Sequence, residues 1–142
     1  MKLNYDIDEL ETVAKAILNS VNHKIIVFYG EMGVGKTTLI SEMVKILGGK
    51  NVVSSPTFSI VNEYDITDDK VYHFDFYRIK DVYEALDIGI EDYFNSNHWI
   101  FIEWPDKIED FLPLQTEYSY ITTDEKGQRT LELTNKKEKI KI

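Results

Sequence analysis

The chain has 142 residues, of which 43% are hydrophobic and 29% charged, and this composition suits one globular domain over 1–142 with a real core. A net charge of −9 makes it a poor unaided ligand for DNA or RNA, and the absence of cysteine excludes disulfides and Cys-ligated zinc or iron–sulfur centres. No apolar run approaches roughly 18 residues, and the N-terminal MKLNYDIDEL does not read as a signal peptide, so the expectation is a cytoplasmic protein with no membrane partner.

The first element expected is a helix. Asp6 followed three residues later by Glu9 has the form of a capping box, and Leu10, Val13, Ala14, Ile17 and Leu18 then recur on one helical face. Lys24 to Tyr29, KIIVFY, reads as a strand buried on both faces, which favours a parallel sheet. A glycine-punctuated loop, Gly30 to Thr37, leads into a helix from Thr37 to Leu47 that Gly48-Gly49 ends. Phe58 to Tyr64 and Lys70 to Phe76 flank a polar turn and read as a hairpin. Asp81 to Leu86 and Glu91 to Asn95 read as short helical turns around Gly89. Trp99 to Trp104, WIFIEW, is a second buried strand stopped by Pro105. Tyr118 to Thr123 and Arg129 to Thr134 alternate polar and apolar residues around DEKGQ, a second hairpin. The last seven residues hold four Lys and one Glu and are expected to fray, leaving 12 basic against 24 acidic groups elsewhere. The fold class expected is α/β: a mostly parallel central sheet flanked by helices, with added β-hairpins.

Gly30-Glu31-Met32-Gly33-Val34-Gly35-Lys36-Thr37 matches G-x-x-x-x-G-K-[ST], the phosphate-binding loop. Glycines let the backbone curl so that successive N–H groups point at phosphate oxygens, and the following helix adds its N-terminal N–H groups and dipole. Lys36 supplies a point charge for the β- and γ-phosphates, the Thr37 hydroxyl a Mg²⁺ ligand, and Thr38 a contact to the α-phosphate. The preceding buried strand and the following amphipathic helix give the motif its required context.

Such a loop needs acidic partners. Glu103 closes the second buried run, where a Walker B acid sits; Glu in place of the commoner Asp reaches further, and the other reading is a surface Glu at a strand end. Asp75 lies in His73-Phe-Asp-Phe-Tyr-Arg78, where alternation puts His73, Asp75 and Tyr77 on one face. That face is either solvated or carries a second metal-associated, water-orienting carboxylate. Only Arg78 and Arg129 are arginines, which argues against a nucleotide kinase, and Arg78 is the one near the motifs. A guanine-selecting Asn-Lys-x-Asp has only a near miss in Asn135-Lys-Lys-Glu138, so ATP is expected over GTP.

Four segments in order, Gly30 to Thr38, Ser55-Pro-Thr-Phe58, His73-Phe-Asp-Phe-Tyr-Arg78 and Ile102-Glu-Trp-Pro105, resemble the TsaE (YjeE) family. The resemblance implies a P-loop NTPase-like fold and slow, Mg²⁺-dependent ATP hydrolysis. It also implies work with TsaD and TsaB in making threonylcarbamoyladenosine (t⁶A) at position 37 of tRNA, with tRNA held by those partners. Carried over residue by residue, Lys36 and Thr37 are phosphate and Mg²⁺ ligands, Glu103 is the metal-associated acid and Asp75 the catalytic or switch acid. Glu31 to Thr38, Trp104 and Thr12 are expected at the nucleotide, with Thr12 near the adenine. Ser55, Pro56, Thr57 and Phe58 stand where a switch segment would, Thr57 as a sensor of γ-phosphate or as part of an ordinary Pro turn. His73, Tyr77 and Arg78 go with the switch and partner surface. The tail matches no family motif. Two rival readings stay open: a small P-loop kinase, and an ATP-binding switch without turnover of its own.

Overall fold

The computed structural model describes residues 1–50, 53, 54, 56 and 60–135. The chain opens with a strand, β1 (Lys2–Tyr5), and not with the expected helix. β1 pairs antiparallel with β7 (Arg129–Thr134), placing Tyr5 beside Arg129. A pairing across nearly the whole chain leaves no local signature, which is why four residues at the terminus read as nothing. A 3₁₀ turn, Ile7–Glu9, then leads into α1 (Leu10–Ser20), and the Asp6 N–H donates to the Glu9 carboxylate at 3.0 Å, the Glu9 arm of the expected capping box. Leu10, Val13, Ala14 and Ile17 are the buried stripe.

β2 (Ile25–Tyr29) is buried on both faces and runs into the glycine loop and α2 (Lys36–Ile46). β3 (Val61–Ile66) and β4 (Asp69–Asp75) form the expected hairpin, with a tighter turn at Thr67-Asp68. Two short helices follow, α3 (Val82–Asp87) and α4 (Ile90–Phe94). β5 (Trp99–Glu103) ends one residue short of Trp104 and gives way to an unexpected 3₁₀ segment, Pro105–Phe111. β6 (Thr116–Thr123) and β7 close the chain.

All seven strands share one sheet in the order β1-β7-β6-β2-β5-β4-β3. The inner four, β6, β2, β5 and β4, are mutually parallel, and the antiparallel partners lie outside them. β6 and β7 form the expected second hairpin, and β6 is at the same time a central strand, parallel to β2. Its first six residues are buried despite their polar alternation. Burial is possible because the Ser119 hydroxyl donates to the Val27 carbonyl and Thr116 to the Pro113 carbonyl, both at 2.7 Å.

Alternation along β2 splits the core. Ile26 and Phe28 join Val13, Ile17, Leu39, Ile40 and Met43 of α1 and α2 on one face. Ile25 and Val27 join Phe74, Phe76, Ile90, Ile102 and Ile108 on the other, under α3, α4 and the 3₁₀ segment. Helices on both faces of a parallel sheet leave the carboxyl ends of the strands open, where ligands bind in such folds. No helix among the described residues is long and apolar enough to cross a membrane.

Candidate nucleotide site at the carboxyl ends of the strands

β2, β4 and β5 end side by side, with Phe28 and Asp75 both in register with Glu103. The loop after β2 needs glycine for two separate reasons. Gly35, which starts α2, has φ 102°, a conformation that L side chains rarely adopt. At Gly30 the reason is space, since a Cβ would stand 2.7 Å from Val34 Cγ1 and 3.0 Å from the Ile121 carbonyl.

A cavity of about 580 Å³ opens over this loop, lined by Gly33, Gly35, Lys36, Thr37 and Thr38 on one side and by Asp75, Glu103 and Trp104 on the other. Arg78, Tyr77 and Pro56 also line it, and both Arg78 and Tyr77 are exposed at its rim. A second cavity of about 420 Å³ lies across the loop, between Gly30, Glu31, Val34 and Ile121 to Thr123; Met32 and Trp104 line both. Thr12 is exposed on α1 and lines neither cavity. Ser55, Thr57 and Phe58, and the basic tail 136–142, lie outside the described residues.

Glu103 is no surface residue: it is 3% exposed. Its Oε1 accepts from the Thr37 hydroxyl at 2.8 Å, and its Oε2 meets His73 Nε2 at 2.6 Å. The other nitrogen of the His73 ring faces the Tyr64 hydroxyl at 3.2 Å. The polar face of β4 is thus not solvated at His73, which is fully buried between Tyr64 and Glu103. Tyr77 lies past the end of the strand and stacks obliquely on Trp104 at 4.9 Å. Hydroxyl and carboxylate oxygens at the Thr37–Glu103 spacing, with Asp75 next to them in register, are the donor set that a small, hard dication takes.

Asp75 accepts from the Tyr77 N–H at 2.9 Å. Burial raises its pKa above the ordinary aspartate range and the nearby Glu103 charge adds to this, outweighing the Tyr77 hydrogen bond and the pull of His73 and Lys36. Lys36 is 5% exposed, donates to the Gly30 carbonyl, and holds its ammonium 3.4 Å from the centre of the Trp104 ring. Burial lowers its pKa, against the raising influence of Glu103, Asp75 and Asp106. Trp104 itself adopts a left-handed backbone, φ 56° and ψ 58°, which turns its ring over the loop at a cost of about 1 kcal/mol or more. Arg129, to which the sequence reading gave no role, donates from Nε to the Val34 carbonyl at 2.7 Å. Nothing local points to it, since it arrives from 95 residues away.

The family model described as threonylcarbamoyl adenosine biosynthesis protein TsaE matches residues 5–132. The TsaE protein of Haemophilus influenzae is 41% identical over 102 residues, 70% of this chain and 65% of that protein's own length. That of Rickettsia conorii is 32% identical over 134 residues, 92% of this chain and 76% of its own, and that of Bacillus subtilis is 37% identical over 106 residues, 72% and 66%. Among solved structures, Bacillus subtilis YdiB superposes with a TM-score of 0.73 at 24% identity, covering 92% of this chain and 83% of that one, so the two share an α/β fold consistent with the expected P-loop NTPase-like class. A match over nearly the whole chain, on a fold that opens this cavity at its glycine loop, places the chain in the TsaE family of threonylcarbamoyladenosine biosynthesis.

Proposed function

We propose that the protein is a Mg²⁺-dependent ATPase of the cytoplasm that supports t⁶A formation on tRNA together with TsaD and TsaB, hydrolysing ATP slowly when alone. The observation that carries this reading is the hydrogen bond from the phosphate-loop hydroxyl of Thr37 to the buried carboxylate of Glu103, inside a cavity that Lys36 and Asp75 also line.

The loop N–H groups and the N-terminus of α2 hold the phosphate chain. Lys36 leaves the Gly30 carbonyl and the Trp104 ring to meet the β- and γ-phosphates, a better partner for a desolvated ammonium. Thr37 and Glu103 would hold the Mg²⁺, with His73 fixing the rotation of the Glu103 carboxylate. When bound, the metal neutralises charge on the β- and γ-phosphate oxygens. Asp75, made more basic by burial, orients the attacking water and accepts its proton as ADP and phosphate separate. Two arginines in the whole chain, one at the cavity rim and one behind the loop, leave the transition state short of cationic help, so a partner completes the site.

The test is ADP release with Mg²⁺, alone and with TsaD–TsaB, alongside Lys36→Ala. Turnover that needs Lys36 and rises with the partners supports the reading. Tight ATP binding without ADP release under either condition leaves a switch that does not hydrolyse. Stimulation by a second phosphoryl acceptor instead of the partners indicates a kinase.

A further inference from the structure

The β6–β7 hairpin lies against the phosphate loop, with Ile121 beside Gly30 and Arg129 bonded to Val34. As the first residue of β7, Arg129 sits in register between Tyr5 of β1 and Thr123 of β6. Its Nε donates to the Val34 carbonyl, and its guanidinium lies against the side of Gly35 where a Cβ would fall 3.6 Å from Nε and 3.9 Å from Nη2. Among the described residues it forms no ion pair with a carboxylate, in a chain of net charge −9.

The Val34 carbonyl and the Gly35 N–H belong to one planar trans peptide and point in opposite directions. Gly35 alone would let that peptide swing, because its backbone visits more conformations than any other residue's. A hydrogen bond that draws the carbonyl toward β7 therefore fixes the N–H away from β7, on the cavity side of the loop that Gly35 lines. We propose that Arg129 is a positioning residue for nucleotide binding, holding the Val34–Gly35 peptide so that its N–H meets the phosphates and setting a fixed positive charge behind the loop. This rests on the reading of the cavity as an ATP site.

Wild type, Arg129→Lys and Arg129→Gln are titrated with ATP and ADP by calorimetry, and turnover is measured at saturating ATP. Amide exchange at Gly33 to Thr37 is followed with and without ADP. Arg129→Gln is expected to raise Kd for both nucleotides about tenfold. It should leave kcat within about threefold and reduce the protection that ADP gives the Gly35 amide, with β2 and α1 unaffected. Lysine restores the charge but not the planar N–H donor, so Arg129→Lys should fall between the two; it also carries the test if the glutamine variant does not fold. Wild-type Kd and unchanged Gly35 exchange in the variants overturn the proposal, as does a lowered Tm with nucleotide affinity intact. Failure of the wild type itself to bind ATP overturns the ATP reading, and the proposal with it.

Discussion

Lys36 stands nearly buried with its ammonium on a carbonyl and an aromatic face, so under the proposed function nucleotide binding would begin by exchanging those partners for phosphate. Lys36→Ala should keep its fold and lose hydrolysis by about 100-fold or more, as removal of one preorganised charge or donor typically does; near-normal ADP release would remove the phosphate-loop reading. Glu103→Gln and Asp75→Asn keep size and lose charge. Both should still bind nucleotide and lose most hydrolysis, and an Asp75→Asn protein that turns over normally would leave Glu103 as the sole acid. His73 makes a separate claim. It is fully buried between Tyr64 and Glu103, so His73→Ala leaves a buried carboxylate oxygen without its partner. A stability loss of about 2–3 kcal/mol by urea denaturation is expected, and one below about 0.5 kcal/mol would mean that Glu103 finds another partner.

At the scale of elements, Asp69 ties three strands together at the end of the sheet opposite the cavity. It opens β4 and bonds to Lys24 before β2 at 3.0 Å and to His98 before β5 at 2.6 Å. Burial alone would raise its pKa, but the hydrogen bonds from His98, the Lys70 N–H and Lys24 outweigh it and hold the carboxyl at about 2, below the ordinary 3.8. A depressed acid adds stability above its unfolded pKa and loses it as pH falls through the folded one. Asp69→Asn should therefore cost about 1 kcal/mol at neutral pH, allowing for partly exposed partners, and the gap should close between about pH 4 and pH 2. A pH-independent gap would assign the effect to packing. Elements carried by a contiguous pattern were legible: KIIVFY, the glycine loop, α2 and WIFIE each announce themselves within a dozen residues. β1, the central place of β6, and Arg129 at the loop were not, because each depends on a partner distant in sequence. The burial of His73 was hidden for another reason: alternation names a face but not what covers it, and here Tyr64 and Glu103 do.

Over the whole molecule, the strand ends gather the glycine loop, two carboxylates and one lysine under a net charge of −9. The motif order identified the family from sequence, and the cavity supplies what order alone does not: the acids and the loop meet. ATP is expected to strengthen docking onto TsaD–TsaB relative to ADP, with binding that weakens as salt rises, since an acidic surface pairs with a basic one. Equal affinity in ATP, ADP and nucleotide-free states would remove the switch. The central claim is tested most directly by measuring phosphate release from ATP and t⁶A on tRNA in one reaction, with TsaD and TsaB, comparing the wild type with Lys36→Ala. The account predicts slow release alone, faster release with the partners, and t⁶A that accumulates only with the wild type. Sustained t⁶A formation by the Lys36→Ala protein, or none of the released phosphate traceable to this chain, would contradict it.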